Sequence, residues 1–380
     1  MNPYDFIPID TEHQPDRRPP VWHHTLMHAG TQKLYSGNLY AYIKAETPLF
    51  IRDSNSSVQD PDYPGTHIQN KQGEYIIPGT SLKGMLRSVV ETLCGGCFTV
   101  FRNPDDYPEH PIPNGFSRCT NNTSLCITCR IFGMMQAAQR NADVFLGKVN
   151  IGDAYVYEDS LAFYDPIYTA VLDTPKPRHR AFYLDAQGRF IAGRKYYFHH
   201  DGSIRTENRL IPIRNRPGEY RNQHIEPLKK DTEFSARIDF SNLEADEFAA
   251  LLLAITLQPD MRHKIGYGKP IGLGSVQIIP TNLQLIDYTT RYSAFRSGRG
   301  ISDYDFKDLS ALLGEQMVSF DAQVSQALRG FRSRSSLQHL HRIWHWPAAN
   351  SVVYCYPSQR WFKDHSKARI SDTVDLFLGN

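Results

Sequence analysis

From Leu39 to Glu46 the chain alternates: Leu39, Ala41, Ile43 and Ala45 share one face, and Tyr40, Tyr42, Lys44 and Glu46 share the other. That period of two predicts a half-buried strand. Phe234, Ala236, Ile238 and Phe240 repeat the pattern far along the chain. In between, the apolar spacing turns helical at Leu82, Met85, Leu86, Val89, Val90 and Leu93. Pro78-Gly79 opens this helix, Thr80 or Ser81 is placed to cap it, and Gly95-Gly96 ends it. A second amphipathic helix is predicted over Glu244–Gln258, and a strand over Lys148–Glu158. His179–Asp201 reads as two aromatic strands around Gly188, and His263–Ile279 as a glycine-rich loop entering a strand.

The order strand, helix, strands, strand, helix, strand predicts an α+β fold, a ferredoxin-like (RRM-type) core with large insertions. Residues 1–33, rich in Pro, His and charge, read as an N-terminal arm. Residues 34–284 read as the core. It carries an irregular, cysteine-bearing insertion at about 94–135 and a polar, aromatic one at about 165–230. Residues 285–380 read as a helical, basic C-terminal extension.

Charge changes the picture only locally. The chain of 380 residues carries a formal charge of +2. Lys176–Arg237 holds fourteen Lys/Arg against seven Asp/Glu, and Arg329–Arg369 holds eight against one. Such stretches can follow a phosphate backbone or simply form a solvated surface. No apolar run reaches the roughly 18–20 residues of a membrane helix. The N-terminus has no apolar signal core, so a cytoplasmic location without a membrane is expected.

Three motifs carry chemistry. At the Pro78 hinge, the free N–H groups of a helix start, with Lys83 and Arg87 four apart on one helix face, suit a phosphate. They equally suit an ordinary cap. The Gly266, Gly268, Gly272 and Gly274 loop, with Lys264 and Lys269, lets a backbone approach a ligand closely or makes a tight turn. Cys126-x2-Cys129 has zinc-ligand spacing, with Cys119 seven residues earlier. His110 is the first choice for a fourth ligand. Cys97 is an alternative, and Cys94 with Cys97 would make an all-cysteine site; buried free thiols are the remaining possibility. Such clustering in a chain of this kind points to metal rather than disulfides.

In this order, "IPGTSLKGMLRSVVETL", "CITCRIFG" and "HKIGYGKPIGLGSVQI" resemble the RAMP superfamily of CRISPR-associated proteins over roughly residues 34–280. The likeness is to the RRM-like backbone subunits of type III effector complexes, which serve antiviral defence. The resemblance implies contacts to a guide CRISPR RNA, a target RNA and other effector subunits. It implies RNA binding by Thr80, Ser81, Lys83, Arg87, Gly268, Lys269 and Gly272. "CITCRIFG" resembles the family's zinc-adjacent segment, in keeping with structural Zn2+ expected on His110, Cys119, Cys126 and Cys129, and the resemblance implies a thumb-like hairpin near Pro177–His200. Some members cleave target RNA with an aspartate between the first strand and first helix. Asp62, with Asp60 and Asp53 in reserve, occupies that interval, and Mg2+ or Mn2+ would assist. The alternatives are a non-catalytic structural subunit that binds guide RNA, and a guide-processing endoribonuclease.

Overall fold

The computed structural model describes residues 1–22, 33–53, 57–98, 112–136, 142–172, 180–293, 300–305, 321–349 and 352–373. The elements that position the site are, in chain order, β1 (Tyr4–Ile7), β2 (Tyr35–Ala45), α1 (Gly79–Leu93), α2 (Ile127–Phe132), β3 (Arg194–Tyr197), β4 (Glu233–Leu243), α3 (Ala245–Thr256), β5 (Ser275–Ile286), α4 (Ala322–Arg332) and α5 (Ser335–Trp344).

The main sheet is antiparallel. β2 lies between β4 and β5, with Tyr40 opposite Arg237 and Leu39 opposite Leu283. Outside β4 come Val149–Ile151 and Ala154–Val156, then Ile76–Ile77; outside β5 comes His263–Lys264. The alternation read in β2 holds: Leu39, Ala41, Ile43 and Ala45 are buried. They share one core with Leu86 and Val89 of α1, Leu252 and Leu253 of α3, Val324 and Leu328 of α4, and Leu337 and Leu340 of α5. The opposite face carries tyrosines, with Tyr42 stacked on Tyr157 at 5.0 Å between ring centroids.

Four local expectations are corrected. Neither Thr80 nor Ser81 caps α1, because the helix already starts at Gly79. Instead Gly79 N–H donates to the Asp153 carboxylate at 2.8 Å. Asp153 stands where the strand expected over Lys148–Glu158 breaks in two, after Gly152 N–H turns to Arg237 O. The N-terminal arm is not free: β1 pairs with β3, and the Met1 ammonium donates to Val353 O at 2.9 Å. Among the described residues of His179–Asp201 the turn at Gly188 is present, with Leu184 bridged to Ile191 and Ala192 N–H donating to Tyr183 O. There β3 pairs with β1 instead of with a second long strand, while Arg180–Tyr183 is a helical turn that buries Phe182 against Tyr4 and Phe362. Its aromatic spacing follows that packing rather than a sheet. After residue 285 the described residues include α4 and α5, and also Ile301–Asp305, a strand on β5.

Candidate nucleic-acid cleft and metal centre

The hinge helix and the glycine-rich loop, far apart in sequence, face one another. Between them and β3 opens a cleft of about 1030 Å³. Ser81, Gly84 and Ser88 line one wall, Gly266, Tyr267 and Lys269 another, and Arg194, Lys195, Tyr196 and Tyr197 the floor between. Tyr196 is held by donating its hydroxyl to Ser88 O at 2.7 Å. Arg52, Tyr183 and Trp344 also line it.

The lining is basic. Arg52, Arg194, Lys195, Lys264 and Lys269 face a single carboxylate, Glu91, which already accepts from Arg87 and Arg194. Arg52 and Lys195 are exposed. Lys264 is buried and donates to Ser275 Oγ at 3.0 Å. Burial, helped by the nearby Lys269, lowers its ammonium to about 7. Lys269 donates to Gly266 O, and burial lowers its ammonium too.

The loop builds its own shape. Gly274 has φ +80°, and a Cβ there would stand 1.9 Å from Ile265 O. The N–H groups of Ile265, Tyr267, Ile271, Leu273 and Gly274 all donate to protein carbonyls. The tight-turn reading of these glycines therefore accounts for most of them. Gly268 and Gly272 pack against Leu273 and Ser203 and are not cleft-lining residues, whereas Gly266 and Lys269 are.

The expected phosphate ligands on α1 divide in the same way. Ser81 lines the cleft, while Thr80 is exposed outside its lining. Lys83 donates to Val149 O at 2.9 Å. Arg87 donates to Glu91, to Gly133 O at 3.1 Å and to Cys129 Sγ at 3.7 Å. These cations share a helix face, but that face meets the cysteine segment and the strand at Val149 rather than the open cleft.

Cys97, Cys119, Cys126 and Cys129 are buried, with their sulfurs all within 4.8 Å of one another. None is in a disulfide. Cys97 and Cys129 are 3.6 Å apart; four thiolates around zinc at about 2.3 Å give sulfur separations of ~3.8 Å. The donor set thus fits a structural metal such as zinc. Hydrogen bonding from Cys119, Cys129 and Cys97 holds the Cys126 thiol well below its ordinary range. Two guanidinium groups complete the site: Arg17 donates to Cys119 Sγ at 3.2 Å, and Arg87 reaches Cys129. Their charges offset the double negative charge that a divalent ion leaves on four thiolates. Cys97 supplies the fourth sulfur, and His110 lies outside the described residues. Cys94 instead enters the main core, because Gly95 at φ +78° turns the chain between the two cysteines.

Asp53, Asp60 and Asp62 are not among the cleft-lining residues. Asp60 Oδ1 accepts from the N–H groups of Asp62 and Tyr63, so it shapes the turn. Asp62 is exposed. Among the described residues, the groups with metal-ligating geometry do not include these aspartates.

Sequence reasoning missed a buried ionic network. Arg130, inside the "CITCRIFG" motif, donates from Nε to Glu247 Oε1 at 2.7 Å and from Nη2 to Asp246 at 3.0 Å. Lys148 donates to Glu247 Oε2 at 2.7 Å. Glu247 also accepts from Glu244 N–H in a capping box at the start of α3. Burial acts to raise the Glu247 carboxyl, but Lys148 and Arg130 more than offset it and hold it below the usual range. The network ties the thiol-bearing segment to α3. The Glu244-x-x-Glu247 spacing was a visible capping signal, but its partners were not.

A mixed α+β core with a basic, aromatic-walled cleft and a buried thiol cluster has the make-up of a nucleic-acid-binding protein with a structural metal. A family model for the RAMP superfamily matches residues 42–277, well over half of the chain, and the chain belongs to that superfamily of CRISPR-associated RNA-binding proteins. The matched span includes both cleft-forming signatures and the thiol cluster. No curated protein matches the chain. Among the described residues, no helix is long and apolar enough to cross a membrane.

Proposed function

We propose that this chain is a guide-RNA-binding backbone subunit of a type III-like CRISPR effector, with the RNA backbone seated in the cleft between α1 and the Gly266–Gly274 loop. The observation that carries the reading is that the two separate signatures line one cleft whose cations outnumber its single, doubly paired carboxylate. Its aromatic walls suit unstacked bases. A ferredoxin-like core over residues 34–284 accords with the antiparallel order β5-β2-β4 followed by Val149–Val156, and with α1 and α3 packed into one core. Binding is preferred to target cleavage at Asp62, because none of the three aspartates lines the cleft. Other effector subunits and a target RNA follow as partners from this role.

The test is charge reversal at the exposed cations. Arg52→Glu with Lys195→Glu is expected to weaken single-stranded RNA binding by about 100-fold at low salt, and to flatten the salt slope by ~1.4, at about 0.7 per phosphate contact. Unchanged affinity and slope in a folded variant would place the RNA elsewhere.

Gly84 gives a second check. A Cβ there would meet nothing within 4 Å, and the residue lines the cleft from mid-helix. Glycine costs such a position about 1 kcal/mol relative to alanine, a cost that close approach of a ligand backbone explains. Gly84→Gln is expected to raise the melting temperature slightly while weakening RNA binding at least 10-fold. A stabilised variant with wild-type affinity would remove Gly84 from the interface.

A further inference from the structure

A second cluster of metal-ligating side chains belongs neither to the cleft lining nor to the thiol centre. His341 and His345 stand one helical turn apart at the end of α5, and Asp260 lies on the turn after α3. Their ligand atoms all lie within 4.8 Å of one another. His341 Nε2 is 2.8 Å, and His345 Nδ1 3.4 Å, from the same oxygen, Asp260 Oδ2.

The backbone fixes this convergence. Trp346 N–H donates to Asp260 O at 2.8 Å, and Arg262 N–H donates to Trp344 O at 3.1 Å. Met261 and Trp344, the neighbours of Asp260 and His345, are each 3% exposed and anchor the two segments in the core. The nearby cations point elsewhere: Arg262 pairs with Glu46, and Arg342 with Asp5. A single histidine–aspartate hydrogen bond is a common surface contact. Two imidazole nitrogens aimed at one carboxylate oxygen, from locked backbones, make a ligand set.

We propose that Asp260, His341 and His345 bind a divalent transition-metal ion, zinc above all, which clips the helical segment beyond the family match to the core. Two imidazoles and a carboxylate suit zinc, cobalt or nickel rather than magnesium or calcium. The side chains are about one-third to one-half exposed, leaving room for water at the remaining positions. Unlike the thiol centre, this site exchanges its ion readily, and it ties residues 81 apart in sequence.

The test uses the untagged full chain, dialysed against nitrilotriacetate so that only tightly held metal remains, and then titrated with Co2+ and Zn2+. The wild type is expected to take up one further equivalent. Co2+ bound there gives weak d–d bands without the intense near-ultraviolet thiolate-to-cobalt transitions of a sulfur site. Added Zn2+ raises the melting temperature. His345→Ala and Asp260→Asn lose the added equivalent and the thermal shift, and keep the tightly held metal and the far-ultraviolet circular dichroism of the wild type. If the wild type takes up no further ion, or if His345→Ala takes up as much as the wild type, the proposal is overturned. His345→Ala decides alone should Asp260→Asn fail to fold.

Discussion

Cys126→Ser is expected to release the structural metal and unfold most of the chain at ordinary temperatures. The side chain is fully buried among three other sulfurs, and the same small cluster holds only Leu125, Met134 and Phe145 besides the cysteines. Structural zinc contributes apparent folding free energies of about 10–16 kcal/mol in small metal-dependent domains. Whole domains are stable by only ~5–15 kcal/mol. Losing the ion also leaves Arg17 and Arg87 facing a site without its negative charge. Elemental analysis should find about one tightly held zinc per wild-type chain and none in the variant. Thermal melting should show the variant, and the wild type in strong chelator, losing cooperative unfolding. A metal-free wild type that melts unchanged in chelator would contradict the site.

Glu247→Gln is expected to cost about 3–5 kcal/mol, because it leaves two buried cations without their shared partner. Arg130, Lys148 and Glu247 are all inaccessible to solvent at the side chain. The joint replacement Arg130→Met, Lys148→Met and Glu247→Leu should cost much less, since it removes the charges together. The same network sets a pH dependence. The Glu247 carboxyl is held below its unfolded value, so its contribution is complete above pH ~4.3. It fades as the pH falls from there through the lower folded value. Urea unfolding at pH 7 and pH 4 tests both points. A single-variant cost under about 1 kcal/mol would show that the two cations are satisfied without Glu247, Arg130 through Asp246 and Lys148 through other groups.

Local periodicity carried much of the fold. The alternation in β2 and β4 and the helical stripe of α1 were legible because each buries one face against a single core. Long-range partners were not legible. Asp153 caps α1 from 74 residues away, and Arg130 meets Glu247 from 117 away. No local pattern encodes either pairing. For the same reason Lys83 and Arg87 read as phosphate ligands: their shared face was plain, but what packs against it was not. Three of the four clustered sulfurs could be read from spacing, whereas Cys97 stood only as an alternative to His110, because nothing local shows that the turn at Gly95 brings it round. The cleft itself needed β3, whose pairing with the N-terminal strand β1 was hidden by an N-terminus that reads as an arm.

RNA seated in the cleft should be captured there by photo-cross-linking. A 4-thiouridine-labelled guide RNA, irradiated in complex with the full chain and analysed by peptide mass spectrometry, should mark peptides bearing Tyr183, Tyr197 and Tyr267. Arg52→Glu with Lys195→Glu should abolish those adducts. Labelling confined to Tyr40, Tyr42 and Tyr155 on the opposite sheet face, or to the basic stretch Arg329–Arg369, with the cleft peptides unmodified, would place the RNA outside the cleft.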